Sequence, residues 1–550
     1  MPVSTVKSST LGSSAPNSPQ MRNDYPQKIP TPVKPEILKA YLEGYEQDLA
    51  NYLISGFTYG FQLGCLNTPS STPSKNHGST NKHPEIVLNK IKKEQSYGRI
   101  SEASTNPQYP NLVISPLGVV PKKAQGQFRL IHDLSYPENN SVNSQIPAVN
   151  SQVSYDSIDT VINLVKQFGS GALMAKCDIQ DGFRNIPIHP DDYHLLGFMW
   201  DNLYYYDKCL PMGASSSCQI FEKLSSSLQW IMLNKFFAKG MSHMIDDFFF
   251  IGPSASKSCF HDLNNFITLC DKIGVPLNPD KTCLPTTNII IYGIEVDSIA
   301  MECRLPNDKV LKIQTHLANM SHRKKVTLHD LQSLIGLLNF ACVVIAPGRA
   351  FLRRLIDLTV KVTNPRHFIR LTCEARADIQ CWLQFISHFN GKSVFLNDTW
   401  SSSDHLTLHT DAASTKGYAA ILGSTWFASE WLEPFKQFHI TVLELFPIVL
   451  ALEMWGSQFQ NHKILFLTDN EAVVAIINKT SSKDKTIMKL VRRLVISCLQ
   501  NNIFFKAKHV PGKFNVLADR LSRLEFQEAL TLAPWLNKTP VQIPANLLHI

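Results

Sequence analysis

The sequence predicts an α+β multidomain protein, and three features carry that prediction. At 550 residues the chain exceeds what one hydrophobic core organises, so several domains are expected. Its texture changes twice: polar, proline-rich and helical sequence gives way to short strands near Leu112, and a strand-helix alternation starts near Asp404. Carboxylates also stand inside apolar runs at two distant places, Asp178 with Asp246-Asp247, and Asp411 with Glu444, Asp469 and Asp519. Such carboxylates are costly to bury unless a cation or a hydrogen-bond network offsets their charge.

Composition narrows the class. Hydrophobic residues at 44% and charged residues at 18% describe a globular chain rather than a disordered one. A net charge of +8 permits a nucleic-acid partner without demanding one. The 12 cysteines contain no C-x-x-C pair, which argues against a zinc ribbon or disulfide framework and for reduced thiols in an intracellular, cytoplasmic or nuclear setting. The N-terminus lacks an apolar h-region, so no secretory leader is expected, and no apolar run is read as reaching the roughly 20 residues of a membrane span.

In chain order, residues 1–35 carry Pro16, Pro19, Pro26, Pro30, Pro32 and Pro35 among Ser and Asn and read as a disordered tail. Residues 36–95 read as a helical extension, interrupted by a polar stretch at 67–82. Residues 116–131 read as a hairpin, 173–178 as a strand, 216–235 as a helix, and 242–251 as a second hairpin with the Asp pair at its turn. Thr327-Leu328-His329-Asp330 reads as a helix cap, followed by Leu331, Leu334, Ile335 and Leu338 at helical spacing. From 404, three strands beginning with 406–411 precede a helix over 441–459, a strand over 463–468, a helix over 471–478, a strand over 502–508 and a helix containing Asp519. That βββαβαβα run is a mixed α/β layer.

Paired carboxylates of this kind suit two-metal phosphoryl transfer, in which two magnesium ions roughly 4 Å apart stabilise both attacking and leaving oxygens. Phe128-Arg129-Leu130, Asp178 with Phe183, Leu210-Pro211-Met212-Gly213, Met244-Ile245-Asp246-Asp247, Pro279-Asp280-Lys281 and Ile291-Tyr292-Gly293 occur in the order of the reverse transcriptase motifs. The chain resembles that family over roughly residues 110–300, and Ser115 to Lys123 with Arg129 to Ser135 looks most like DIRS-type retrotransposon polymerases. The resemblance implies a right-hand polymerase: fingers and palm over 96–300, then thumb and connection helices over 301–403. It implies that Asp178 and Asp246 hold both metals with the Ile179 carbonyl, and that Asp247 is an adjunct carboxylate. Arg129 and Lys122, or its neighbour Lys123, would clamp the triphosphate. Phe183 would exclude a ribose 2′-hydroxyl, and Met212-Gly213 would lie by the nascent base pair. Lys281 is either an acid for the leaving pyrophosphate or a surface lysine. Tyr292 and Gly293 belong to a primer grip by analogy, although a buried strand residue explains Tyr292 equally well.

Thr410-Asp411-Ala412-Ala413, Leu443-Glu444-Leu445, Thr468-Asp469-Asn470 and Ala518-Asp519-Arg520 resemble the four acids of RNase H in order, within an RNase H domain over 404–525. His509, ten residues before Asp519 on a Val510-Pro511-Gly512 loop, matches the flexible histidine of that family. Residues 526–550 read as a C-terminal tail. The expected activity is RNA-directed DNA synthesis with cleavage of the RNA strand of hybrids. It would use two Mg2+ per site, with Mn2+ able to substitute. Its partners would be an RNA template, a DNA primer, the RNA-DNA hybrid and deoxynucleoside triphosphates, with no membrane. No protease or integrase motif is found, so an integrase or recombinase is expected from another chain. Met212 stands where many relatives carry Gln, and Met244 where many carry an aromatic residue. These departures leave open a polymerase-inactive remnant that binds nucleic acid or retains only RNase H. The basic groups His322-Arg323-Lys324-Lys325, Arg349 with Arg353-Arg354, and Lys489 with Arg492-Arg493 are phosphate contacts or solvated faces.

Overall fold

A computed structural model of the protein describes residues 29–70, 74–122, 126–389, 392–396, 399–512 and 515–550. Two compact units interleave along the chain. One comprises Met1–Val153, Asp181–Leu224 and Ile273–Val275, the other Ser154–Gln180, Ser225–Lys272 and Pro276–Ile550. The expected polymerase stretch 96–300 is therefore shared between both.

In the first unit, helices Pro35–Tyr41, Gln47–Tyr59, Gly78–Lys82 and Pro84–Ser96 accompany two antiparallel hairpins. These are Leu117–Pro121 with Phe128–His132, and Gly197–Trp200 with Leu203–Tyr206. Val87, Ile91, Leu117, Val119, Phe198 and Tyr205 form a shared apolar core. The polar stretch at 67–82 has a structural task. Asn76 Oδ1 accepts from Leu117 N at 2.8 Å, and Ser79 Oγ accepts from Val119 N at 3.0 Å. These side chains satisfy strand donors that have no neighbouring strand on that side. Residues 29–35 depart from the expected tail: Val33 is buried, Lys34 N donates to Ile273 O, and Thr31 Oγ1 donates to Asn185 O. Their partners lie far away in sequence, where composition gives no hint of them. The rest of that expected tail, residues 1–28, and Lys123 lie outside the described residues.

The second unit is built on a four-stranded antiparallel sheet, in the order Met241–Met244, Asp247–Gly252, Leu173–Asp178, Cys283–Thr286. A second sheet runs Lys392–Val394, Glu302–Arg304, Ile294–Asp297, Asn288–Ile291. Helices Asn307–Ser321, Leu328–Ala341 and Cys373–Phe389 follow, and Thr327 Oγ1 caps the second by accepting from Asp330 N. One continuous apolar cluster joins Val161, Phe249, Ile313, Leu334, Trp382, Phe446 and Leu494.

The C-terminal part of this unit has the mixed layer expected. Leu408–Ala412, Gly417–Leu422 and Thr425–Glu430 pair antiparallel, while Lys463–Thr468 pairs parallel with both Phe504–His509 and the short Ser401–Ser402. The first strand does not run from Leu406 as read. Residues 404–407 loop out, with Thr407 at φ 54°, and the ladder resumes at Leu408, whose N donates to Ser403 O. A helix missed from the sequence, Lys485–Gln500, precedes the last strand; Asp484 caps it by accepting from Thr486 N and Ile487 N. Its apolar stripe, Ile487, Leu490, Val491, Leu494 and Cys498, is buried.

That helix corrects one basic group. Arg492 donates to Asp378, which is 1% exposed, and Arg493 pairs with Glu453, so both guanidinium groups are spent inside the fold rather than on phosphate. Arg354 also reaches Asp378, at 3.4 Å. Lys489 of that group is exposed, as are His322, Arg323, Lys324, Lys325, Arg349 and Arg353, the last paired with Asp357 at 2.9 Å. Ile440–Phe459 corrects the reading of apolar runs: its 20 residues pass a membrane span's length and composition test. Of an 18-residue stretch of it 72% is buried inside the fold, as befits an internal helix. The C-terminal residues are also not free. Ala529, Ala533 and Leu536 are buried, and Leu547 O accepts from Arg493 Nη2. All 12 cysteines are unpaired.

Candidate active sites

The strand register of the second unit assembles the first acidic site. Asp178 ends the central strand directly opposite Asp247, and Met244 pairs with Asp247 across a two-residue turn, Ile245-Asp246. Ile245 sits at φ 56°, a region a β-branched residue rarely enters and one that stores about 1–2 kcal/mol. Ser225 Oγ donates to the Ile245 carbonyl at 2.6 Å, and Ile179 N donates to the Asp246 carbonyl at 3.0 Å. The turn is thus clamped from two sides, which fixes where Asp246 projects. Asp178 is 4% exposed and accepts from Lys281 Nζ at 2.8 Å. Burial, with Asp178 and Asp247 as neighbouring charges, pushes the Asp246 carboxyl up to about 6 and raises Asp247 as well. Burial lowers the Lys281 ammonium, but its bond to Asp178 and the charge of all three acids raise it on balance.

Tyr292 is not a buried strand residue. With φ 49° and 78°, Tyr292 and Gly293 form the two-residue turn between Asn288–Ile291 and Ile294–Asp297. The Tyr292 hydroxyl lies 2.7 Å from Ser242 Oγ, tying that turn to the strand leading into the acidic hairpin. Ile179 is buried next to Asp178, and its backbone bridges Leu277.

The remaining residues ascribed to nucleotide binding lie in the first unit. Lys122 and Arg129 are exposed on the 117–132 hairpin. Phe183 is half-buried against Phe221, with ring centroids 5.2 Å apart. Met212 is 48% exposed. Gly213 is required by space, because a Cβ there would stand 2.1 Å from the His132 carbonyl oxygen. Asn143 fixes this loop by donating to Gly213 O and accepting from Ser215 N.

The four acids of the second site come from two strands and two helices. Asp411 lies on the strand Leu408–Ala412, Glu444 in the first turns of Ile440–Trp455, Asp469 just after Lys463–Thr468, and Asp519 on Val516–Ser522. Burial first, then the charges of Asp411, Asp469 and Asp519, push the Glu444 carboxyl up to about 8. Asp411 is pushed up to about 6 by burial against the opposing bond from Ser522, with Asp519 and Asp469 adding to the rise. Glu444 and Asp411 therefore both lie within reach of the charges of Asp469 and Asp519. Ser522 Oγ donates to Asp411 Oδ2 at 2.6 Å, and Asn515 Nδ2 to Thr410 O at 2.9 Å. Arg523 donates to Asp519 Oδ1 at 2.9 Å. His509 is exposed at the strand end, its Nε2 3.1 Å from Asp469 O. A Cβ at Gly512 would meet Asp469 Oδ2 at 2.5 Å, so this glycine lets the histidine loop approach the acid.

Ser225, Ser522, Asn515 and Arg523 were not read from the sequence as site residues. Arg523 carried a signal, standing four residues after Asp519 with the opposite charge, and Ser522 a weaker one, three residues after it. Both donor sets consist of carboxylate oxygens, the ligands magnesium prefers, and the raised pKa values of Asp246 and Glu444 mark charge that a cation would offset. Among the described residues, no three acidic, His or Cys side chains converge into a ready metal cage. The residues fit a cation that keeps waters or substrate phosphates in its shell, rather than one enclosed by protein.

The family description "Reverse transcriptase (RNA-dependent DNA polymerase)" matches residues 120–298. Polyprotein P3 of Commelina yellow mottle virus is 22% identical over 428 residues, covering 73% of this chain and 20% of its own. The enzymatic polyprotein of Carnation etched ring virus is 21% identical, covering 66% of this chain and 52% of its own. The chain thus spans about half or less of the length of these curated relatives. Among solved structures, a foamy viral protease-reverse transcriptase dRH in complex with double-stranded DNA aligns over 89% of this chain and 84% of its own, at 15% identity and a TM-score of 0.49. Both the ordered motifs and the family match take in the strands that bear Asp178 and Asp247 and the turn that bears Asp246: residues 120–298 are a reverse transcriptase domain, with viral polyproteins as relatives.

Proposed function

We propose that the chain copies RNA into DNA at the Asp178–Asp246–Asp247 site and cleaves the RNA of the resulting hybrid at the Asp411–Glu444–Asp469–Asp519 site. The observation that carries this reading is the register of Asp178 opposite Asp247, with Asp246 on the clamped turn, inside the matched reverse transcriptase segment. Magnesium bound at each site would supply an activated oxygen nucleophile and stabilise the leaving oxygen. Asp178 and Asp246 would hold it at the first site with the Ile179 carbonyl, and Asp247 would add charge. Lys281, bonded to Asp178, would give a proton to the departing pyrophosphate. Arg129 and Lys122 would neutralise the triphosphate, and Phe183 would exclude a 2′-hydroxyl. At the second site the four acids would hold the cations, and His509, exposed at its strand end, would assist product release. Substrates follow: an RNA template, a DNA primer, deoxynucleoside triphosphates and the hybrid, with integration left to another polypeptide. The DIRS-type affinity remains part of this proposal.

The test is magnesium-dependent extension of a DNA primer on an RNA template, with wild type beside Asp246→Asn and Glu444→Gln. Wild type should make DNA, Asp246→Asn should lose synthesis by several orders of magnitude, and Glu444→Gln should extend while leaving the RNA intact. A folded wild-type protein that binds hybrid and incorporates nothing overturns the polymerase half. Retained RNA cleavage in Glu444→Gln overturns the other half.

A further inference from the structure

Two short strands of the second unit, Lys325–Thr327 and Phe368–Arg370, pair antiparallel into a two-stranded ribbon of their own. Val326 and Ile369 stand opposite each other in the register, are 1% and 7% exposed, and enter the apolar core. Side chains alternate along a strand, so the residues flanking these two face away from the core. That outer face carries Lys325 directly opposite Arg370, and Phe368 directly opposite Thr327. Pairing continues past both ends: Leu371 N donates to Lys324 O at 3.0 Å, and Leu328 N to His367 O at 2.8 Å. Lys325, Arg370 and Phe368 therefore share one fixed face.

Nothing within the fold accounts for the make-up of this face. Like charges directly opposite on neighbouring strands work against the pairing. The segments 322–327 and 361–372 carry three Lys or Arg each and no acid. Lys325 and Arg370 are exposed and, among the described residues, form no side-chain hydrogen bond or ion pair. Asp330, the nearest acid along the chain, faces His329 Nδ1 at 3.6 Å instead. Beside these cations Phe368 is 63% exposed. Water solvates the cations, but it leaves them opposed and leaves the ring wet.

We infer that this face holds a single strand of nucleic acid, with phosphates on Lys325 and Arg370 and an unpaired base stacked on Phe368. Phosphate supplies the negative charge that the ribbon lacks, in charge-assisted hydrogen bonds. A base of any identity supplies a flat face for the ring. That base is unpaired, because inside a duplex both faces of each base are already stacked. An acidic peptide would meet the two cations and leave the ring in water. The inference rests on the reading of this chain as an enzyme that acts on nucleic acid. It goes beyond that reading by assigning a strand contact to residues of neither acidic site.

The test is fluorescence anisotropy of the full chain in EDTA, with a labelled oligothymidylate and a labelled blunt-ended duplex. Phe368→Ala should weaken the oligothymidylate about fivefold or more, the loss of one stacked base, and leave duplex binding as in wild type. Lys325→Gln with Arg370→Gln should flatten the slope of log affinity against log salt for the single strand by about 1.4, at roughly 0.7 per lost phosphate contact. Removing the opposed charges should leave the melting temperature at or above that of wild type, which separates a lost contact from a lost fold. Should that double variant melt lower, Phe368→Ala alone decides. Phe368→Ala that weakens both ligands equally, or neither, overturns the inference. So does an unchanged salt slope, or poly-glutamate that displaces the label as readily as unlabelled oligothymidylate. Binding in EDTA needs neither synthesis nor cleavage. A chain that shows these losses yet incorporates nothing in the extension assay overturns the polymerase reading and leaves this one standing.

Discussion

Burial gives Glu444 an unusual titration. The folded chain holds its proton up to about pH 8, whereas an ordinary glutamate releases it near 4.5. Between those values the folded state binds more protons than the unfolded one, so this group removes stability as pH rises, and the full penalty is present above 8. In chelator, Glu444→Gln should therefore melt higher than wild type, by a margin that grows from about pH 5 to 8 and is flat beyond. Differential scanning calorimetry across that range checks it; a margin independent of pH would refute the argument. Gly213→Ala should cost about 1–3 kcal/mol in urea unfolding, because its Cβ meets a carbonyl oxygen at 2.1 Å rather than a movable side chain. At this scale the acids were legible because carboxylates in apolar runs have few bland explanations. Their supports were not: Ser225 and Asn515 are ordinary polar residues whose partners are set by the fold.

Among elements, the join between helices Cys373–Phe389 and Lys485–Gln500 is held by Asp378, with Arg354 and Arg492 converging on one oxygen. Arg492→Ala leaves a carboxylate that is 1% exposed with its closest partner gone, and should cost about 3–5 kcal/mol in denaturant unfolding. Replacing both partners, Asp378→Leu with Arg492→Met, should cost much less, since a buried ion pair is often worth no more than an apolar pair of its size. If the double variant is as unstable as the single, the pair itself is stabilising. Helix 485–500 escaped the sequence reading because its basic residues drew attention as a charge cluster and their acidic partners lie up to 114 residues away. The broken first strand escaped for a different reason. The alternation of Leu406 to Asp411 is a good strand pattern, and nothing local reveals that residues 404–407 loop out. The 117–132 hairpin was legible because its strands flank a glycine-bearing polar turn, and the 241–252 hairpin because an Asp pair interrupts an apolar run, although Ile245 at its turn is no turn former.

For the whole molecule, +8 is a modest charge, and much of it is internal or paired, as Arg492 and Arg493 illustrate. Exposed cations in short runs are then the natural phosphate contacts, and His322 to Lys325 is such a run. Replacing Arg323, Lys324 and Lys325 by Gln should flatten the slope of log affinity against log salt by about 2–3, at roughly 0.9 per lost phosphate contact. An unchanged slope for hybrid binding would take this segment off the nucleic-acid path.

Helix Ile440–Trp455 has a consequence for how the chain is made. Its apolar surface is covered by strands that precede it and by helix 485–500, which follows it. While a ribosome is still adding residues beyond 460, that surface has only half of its cover. A chain released there would present one of the longest greasy stretches in the molecule to its neighbours, so premature termination in this region should yield aggregates or chaperone clients rather than a smaller soluble product.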